Sequence, residues 1–504
     1  MKANDIPQAI QTALAHHQSG KLVEAIEIYR QILAVTPNDA GILNLLGLAL
    51  YQQGKFIEAV GLIKQAIALN PGEVAFRFNL GNVLKSSGDF AQAEQHYRQA
   101  LAMQPAHFEA AQNLVNLLES QGRDDDAAAL CREALRYNAG SVALLYKLGG
   151  LLQKRGSLGE AATCYQRVLD LRPAALEARF QLAYVLHLLG RLDQAVPHYR
   201  QVLAARPQHG ATHMYLGRAL AGLNQAGLAI EHCEKAVQLM PQHADAHRNL
   251  GSVMLMLGRR EEAAQAYRRA LELKPDDVNA RHMLNSIENV TPERADADYV
   301  RELFDDYAGK FESHLQNDLK YDVPYKLREL LGGQFPERKF ESMLDMGCGT
   351  GLSGVPMRDL VRRMAGVDLS EKMLEQARQK QVYDELHAAD LIGYLKQSGD
   401  AAFDLLLSAD VFLYLGDLAP VFAEARRVLQ AGGILAYSTE AADGGEVGEL
   451  GYKLETSGRY VHHAGYLRGL GERHGFRELH FSPTTVRTNL NKPVPGYIVL
   501  LERI

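Results

Sequence analysis

The chain has 504 residues, is 47% hydrophobic and 23% charged, and sets 60 acidic against 54 basic residues for a formal charge of −6. That length exceeds what one hydrophobic core usually serves and the composition is that of folded protein, so two or more domains are expected and a disordered chain is argued against. The acid excess argues against nucleic acid as a partner; without an apolar run of about 18 residues or an apolar signal segment at the start, no membrane association and a cytoplasmic location are expected.

From residue 6 onward the sequence keeps one ruler. Proline recurs every 34 residues at Pro37, Pro71, Pro105, Pro173, Pro207, Pro241 and Pro275, with Ala139 in the one vacant place. Leu46, Leu80, Leu114, Leu148, Leu182, Leu216, Leu250 and Leu284 share that period, as do Ala25, Ala59, Ala93, Ala127, Ala161, Ala195, Ala229 and Ala263. Gly20, Gly54, Gly88, Gly122, Gly156, Gly190 and Gly258, with Asn224 in the remaining slot, separate two apolar-periodic segments in each unit. Glycine or asparagine is what a helix leaving through a left-handed residue requires, and proline past the second segment stops it. Each unit is predicted to be helix–turn–helix.

This pattern resembles the tetratricopeptide repeats, whose length is 34 and which carry Leu-Gly, Ala, an aromatic and a closing Pro. Leu46-Gly47, Ala59 and Pro71 match in one copy, and Tyr29, Tyr97, Tyr165, Tyr199 and Tyr267 fill the aromatic slot. Cys131, Cys233 and Ile63 take that slot elsewhere, so those two cysteines read as packing residues. The consensus tryptophan is absent, and Thr12 replaces the leucine in the first, capping unit. Eight repeats over 6–277 and a closing helix give a solenoid domain of 6–289, an all-α superhelix with an extended concave face. Asn79, Asn113 and Asn249 hold one register position, shared by Gln181, and Asn82 and Asn116 lie about one turn further on. Side-chain amides both donate and accept, so a row of them suits a peptide backbone. The row resembles the asparagine ladder of the O-GlcNAc transferases, which implies a protein or peptide partner in the groove; Leu45, Lys147 and Tyr215 interrupt it.

The ruler stops near Thr291. Residues 290–338 are predicted to be a helical linker and lid, and 339–504 a third region of alternating strands and helices, with strands near 341–346, 364–368, 384–389, 403–409 and 432–438. That alternation predicts a parallel sheet covered on both faces, with Phe476–Phe481 and Gly496–Leu501 as an edge hairpin. The first strand runs into Asp345-Met346-Gly347-Cys348-Gly349-Thr350-Gly351, a GxGxG loop; the dinucleotide spacing would need glycine at Leu352. The four cysteines Cys131, Cys164, Cys233 and Cys348 show no zinc-ligand or CxxC spacing, and no metal is expected.

The loop resembles motif I of the class I S-adenosylmethionine-dependent methyltransferases, of the type 11/12 kind. The resemblance implies a Rossmann-like α/β domain with a mixed seven-stranded sheet and S-adenosyl-L-methionine as cofactor, leaving S-adenosyl-L-homocysteine. It gives Asp345, Gly347, Cys348, Gly349 and Gly351 to the cofactor cradle, Asp368 and Leu369 to the ribose end, Asp390 and Leu391 to the adenine, with Met373 and Ala409 alongside, and Tyr307 as an aromatic closing over the amino-acid end. Arg426-Arg427-Val428-Leu429 before Gly432-Gly433 resembles the family's entry to strand five, with Ala431 in place of its proline. Ser408-Ala409-Asp410-Val411 departs from the Asn/Asp-Pro-Pro-Tyr of adenine and glutamine-amide methyltransferases, which counts against those acceptors.

Methyl transfer from a sulfonium needs alignment more than acid–base help, so no obligatory triad is expected. Asp410, Tyr414, His462 and His463 are the candidates for handling the acceptor's proton, and Arg459 and Tyr460 for holding the acceptor. The sequence is read as a methyltransferase whose solenoid recruits a protein, peptide or carrier-bound substrate. Two alternatives stay open: an enzyme of small molecules with the repeats used for assembly, as in a homo-oligomer, and a non-catalytic cofactor-binding adaptor.

Overall fold

The computed structural model describes residues 5–504 except 309–310, 313–314, 316–318, 443–446 and 490–491. It divides into two compact units, Met1–Leu186 and His187–Ile504, and the division falls inside the solenoid.

The first unit holds five helix–turn–helix pairs, from α1 (Ile6–Gln18) to α10 (Leu158–Leu171), and most of α11 (Leu176–Leu188). The turn glycines adopt the left-handed backbone the spacing demands, with φ of +76° at Gly20, +79° at Gly54 and +86° at Gly88. The Leu-Gly glycine serves a different purpose. A Cβ on Gly81 would lie 2.7 Å from the Tyr97 ring, and one on Gly149 2.8 Å from Tyr165. In these repeats the tyrosine of the second helix therefore packs directly on the backbone of the first, which ties two separate motif positions together. In unit two Cys233 does the same against Gly217, and burial pushes the thiols of Cys131 and Cys233 up to about 12, as packing residues require.

The second unit continues with α12 (Leu192–Ala205), α13 (Gly210–Gly222), α14 (Ala226–Leu239), α15 (Ala244–Met256) and α16 (Arg260–Leu273), then the closing helix α17 (Val278–Glu288). Asn224, at φ +57°, makes the left-handed turn assigned to it. Two helices follow in the linker, α18 (Ala297–Tyr307) and α19 (Val323–Gln334).

The sheet is built from β1 (Phe340–Met346), β2 (Val361–Asp368), β3 (Glu385–Ala388), β4 (Phe403–Ser408), β5 (Leu429–Ala441), β6 (Tyr452–Leu454), β7 (Tyr460–His462), β8 (Phe476–Asn489) and β9 (Lys492–Arg503). Parallel strands run β3-β2-β1-β4-β5, and β9 pairs antiparallel with β5 and with β8, which gives the expected mixed seven-stranded path and edge hairpin. Two further strands were not foreseen. The β6–β7 hairpin attaches where β7 pairs in parallel with Glu440 and Ala441, past the last β4 partner at Tyr437. Strands three residues long are too short to show a period, so this segment reads as a polar loop in the sequence.

Alternate residues of the sheet feed two cores. Leu344, Leu406, Leu435 and Val499 pack with α22 (Leu391–Gln397), α23 (Ala419–Val428) and α24 (Ala464–Arg473) through Leu395, Phe422 and Leu470. Met343, Leu405, Leu407 and Ile498 face α19 through Val323, Leu327 and Leu331. Both faces are dry, as a parallel sheet requires. The strand order reverses between β1 and β4, and a ligand site is expected outside their carboxyl ends.

Candidate active site

The loop after β1 is set by backbone first. Gly347 N and Cys348 N both donate to Val367 O, at 2.8 and 3.0 Å, which folds the loop under the end of β2. Gly347 has φ +77°, and a Cβ there would meet Val411 at 2.4 Å, so only glycine lets the exits of β1 and β4 approach this closely. Gly349, at φ +53°, has nothing nearer its Cβ position than Phe311 at 3.8 Å, which leaves an open floor against the cavity. Gly351 does not line the cavity; its Cβ would press on Tyr383 at 3.0 Å, so it serves packing behind the loop.

At the end of β2 the Asp368 carboxylate accepts from Gly349 N through Oδ2 and from Ser370 N through Oδ1, both at 2.9 Å. Burial raises its pKa against those two bonds. A carboxylate has about four acceptor sites, so two remain for hydroxyl groups. Ser370 caps α21 (Glu371–Lys380) by accepting from Met373 N and bonds Asp305 of α18 at 2.5 Å, which pins the linker helix over this strand end. Asp390 caps α22 through Gly393 N and forms an ion pair with Arg294 at 3.1 Å. Asp345 lies fully buried behind the loop, where Tyr383 donates to its Oδ2 at 2.6 Å while Oδ1 and the nearby Thr350 Oγ1 have no partner. Burial pushes the Asp345 carboxyl up to about 7.

On the acceptor side, Asp410 stands at φ +58°, a strained setting for a residue with a side chain. Its carboxylate accepts from Ser438 Oγ at 3.1 Å and from Arg487 Nη1 at 3.0 Å, while burial raises its pKa. Arg487 also bonds Glu440, and Arg459 sits 3.9 Å from Glu440. Two carboxylates and two guanidiniums thus form one largely dry network.

One cavity of about 760 Å³ joins these parts. It brings together Tyr307, Gly347, Cys348, Gly349, Asp368, Leu369, Asp390, Leu391, Ala409, Asp410, Tyr414, Arg459 and Asn249. It also takes in Tyr299, Phe304, Phe311 and Tyr321 from the linker, Arg487 from β8, and Arg218, Arg248, Ser252, Tyr267, Asn279 and Met283 from the last two repeats and α17. Asp345, Met373 and Tyr460 lie outside the lining, each buried in packing. The expectation of a histidine base requires correction. His462 is fully buried away from the cavity, its Nδ1 accepting from Thr439 Oγ1 at 2.8 Å and its Nε2 donating to Gly416 O at 3.1 Å; burial pushes its pKa down to about 4. His463 caps α24 by accepting from Gly465 N. In the first unit, Asn79 and Asn113 donate to Asn44 and Asn82 at 3.0 and 2.8 Å, so these amides link neighbouring repeats.

Arg487 gives no signal in the sequence: β8 runs eight residues past Phe481, and Ser482-Pro483-Thr484-Thr485 there reads as polar loop rather than strand.

Residues 344–437 match a methyltransferase domain family, and 13–54, 40–106, 78–141, 146–209, 189–242 and 222–287 match tetratricopeptide-repeat families. The chain is a tetratricopeptide-repeat protein with a methyltransferase domain. Similar proteins include the malonyl-[acyl-carrier protein] O-methyltransferases of Serratia marcescens, 37% identical over 137 residues, and of Enterobacter lignolyticus, 36% over 115. Those stretches are 26% and 23% of this chain and 51% and 45% of the relatives, so the chain spans about half the length of the relatives it matches. Solved structures resembling it include MamA from Desulfovibrio magneticus RS-1, at 27% identity over 33% of this chain and 94% of that one, with a TM-score of 0.32. Another is YrrB, titled a TPR protein with an unusual peptide-binding site, at 22% identity over 37% and 96%, with a TM-score of 0.34. The methyltransferase-domain match takes in Gly347, Asp368, Asp390, Asp410 and Tyr414, and stops short of Arg459 and Arg487. Among the described residues no helix is long and apolar enough to cross a membrane, and no cluster of three metal-ligating side chains occurs.

Proposed function

We propose that this chain transfers a methyl group from S-adenosylmethionine to an acceptor borne on a protein, a peptide or a carrier, which the solenoid recruits, leaving S-adenosylhomocysteine. The observation that carries this reading is the shared cavity: the glycine loop and Asp368 line it together with Arg248 and Asn249 of the eighth repeat. A volume of about 760 Å³ lies toward the upper end of small-molecule sites, about 300–1,000 Å³, and leaves room for an acceptor group beside the donor.

The residues present fit the donor. The open face of Gly349 and the buried, unpartnered Thr350 Oγ1 are features of a cradle awaiting polar contacts. Asp368 would hold the ribose hydroxyls, Asp390 and Leu391 the adenine, and Tyr307, with Phe304 and Phe311, the amino-acid end. The donor supplies a methyl on a sulfonium whose thioether leaves without a proton. The chain's own part is to exclude water and align the nucleophile. Leu413, Phe304 and Tyr299 line the cavity wall and make it apolar. Where the acceptor must shed a proton, Asp410 is the carboxylate beside Tyr414, kept oriented by Ser438 and Arg487. The relatives are named for a malonyl group on an acyl-carrier protein, an acceptor presented on a protein, which supports the carrier-bound form.

Full-length chain incubated with radioactive methyl donor and a cell lysate should place label in macromolecules and release S-adenosylhomocysteine. Label confined to small solutes would give the repeats an assembly role alone. No label, with the donor bound, would leave an adaptor.

A further inference from the structure

The β6–β7 hairpin does more than widen the sheet. Its turn, at Gly458, is held by the solenoid. His282 of α17 is buried, and its Nε2 donates to Gly458 O at 2.9 Å. The carbonyl can only accept, so the proton sits on Nε2, and burial keeps the ring neutral by lowering its pKa. The same ring stacks on Tyr299 of α18, with centroids 3.9 Å apart and planes 21° apart. Gly458 stands at φ +77°, and a Cβ there would come within 3.1 Å of Tyr299 Oη and 3.3 Å of Met283 Sδ. The grip is therefore close on all sides. Tyr460, Tyr452 and Leu454 of the hairpin join Tyr299 and Tyr414 in one apolar cluster against Val278 of α17.

The next residue is Arg459. It lines the cavity with Tyr414 and lies 3.9 Å from Glu440, the carboxylate that Arg487 shares with Asp410. One peptide bond separates the point the solenoid grips from a side chain facing the acceptor.

We propose that His282, on the helix closing the solenoid, is a positioning residue of the methyl-transfer site, setting through Gly458 the guanidinium of Arg459 that holds the acceptor. A guanidinium only donates, in a fixed fork, so the group it meets on the acceptor is an oxygen, a carbonyl or an oxyanion. This rests on the methyl-transfer reading above. It makes the end of the solenoid a working part of the catalytic chamber as well as a recruiter.

The test uses full-length wild type, His282→Ala, His282→Gln, Arg459→Ala and the double variant His282→Ala/Arg459→Ala. Calorimetry with S-adenosylhomocysteine should show all five binding within about twofold of each other, which also reports that they are folded. Rates are measured with labelled donor against rising amounts of the macromolecular fraction of a lysate. His282→Ala should raise the half-saturating amount by about tenfold or more, with little change in maximal rate, since a displaced positioning contact acts at this scale. Glutamine, which can still donate to Gly458 O, should recover most of the loss. The double variant should be no worse than Arg459→Ala. Hydrogen exchange should quicken over 452–462 in His282→Ala and stay unchanged in β9. Wild-type half-saturation or unchanged exchange in His282→Ala, or multiplied defects in the double variant, would overturn the proposal while methyl transfer stands. A wild-type chain that binds S-adenosylhomocysteine and labels nothing removes the methyl-transfer reading and this one with it.

Discussion

Asp345 gives the sharpest quantitative test of the loop's architecture. It is fully buried, bonded through one oxygen to Tyr383, and burial carries its carboxyl to about 7 in the folded chain against about 3.9 when unfolded. A carboxyl raised on folding contributes fully below its unfolded pKa, and that contribution is lost as pH rises toward 7. The full span of about three units corresponds to about 4 kcal/mol, and the part between pH 5 and pH 8 to about 3 kcal/mol. Asp345→Asn cannot ionise and should escape this loss. Scanning calorimetry of both chains at pH 5, 6.5 and 8 should show the variant's transition gaining on wild type by roughly 4–6 °C across that range, at about 1.5–2 °C per kcal/mol for a unit of about 300 residues. The gain should level off above pH 7. A difference that does not change with pH would mean the carboxyl is already ionised at pH 5, and the account of a dry pocket behind the glycine loop would be wrong.

Other expectations follow from the same contacts. Arg487→Met strands Asp410 and Glu440 without their shared cation and should cost about 3–5 kcal/mol in denaturant unfolding at pH 8 and less at pH 5, where the buried Asp410 carboxyl, its pKa raised, takes up a proton; a cost under about 1 kcal/mol would show that the network is solvated. Asp368→Ala should weaken S-adenosylhomocysteine binding about a hundredfold or more by calorimetry, from two charge-assisted bonds at about 1.5–3 kcal/mol each; a change within threefold would take the ribose away from this carboxylate. Gly81→Ala places a Cβ 2.7 Å from Tyr97 and should destabilise the first unit by about 1–3 kcal/mol, seen as an earlier loss of helical circular dichroism, with cofactor affinity unchanged.

The solenoid was legible because its physics repeats. A turn needing a left-handed residue, a close crossing needing glycine and a stop needing proline recur every 34 residues, so each copy confirms the others. The glycine loop and the carboxylate closing β2 were legible because backbone constraints leave few residue choices there. The two histidines misled because burial cannot be read at single positions: His462 sits in a polar-looking run, yet β7 carries it into the interior. Asn249 shared a register with Asn79 and Asn113, but register does not say which wall a helix faces, and Asn249 lines the catalytic cavity while the other two link neighbouring repeats. Arg487 shows a further cost of misplaced boundaries, since a strand ended early hides whatever its far end contributes.

The walls of the catalytic chamber begin, in chain order, at Arg218, so among the described residues the first six repeats supply none of its lining. Because those six share an uninterrupted ruler, removing or duplicating one whole copy would shift the numbering of everything downstream and leave every side chain around Asp410 with its present neighbours. A lineage could gain or lose whole copies in steps of 34 residues while the side chains lining the cavity are inherited with the same surroundings.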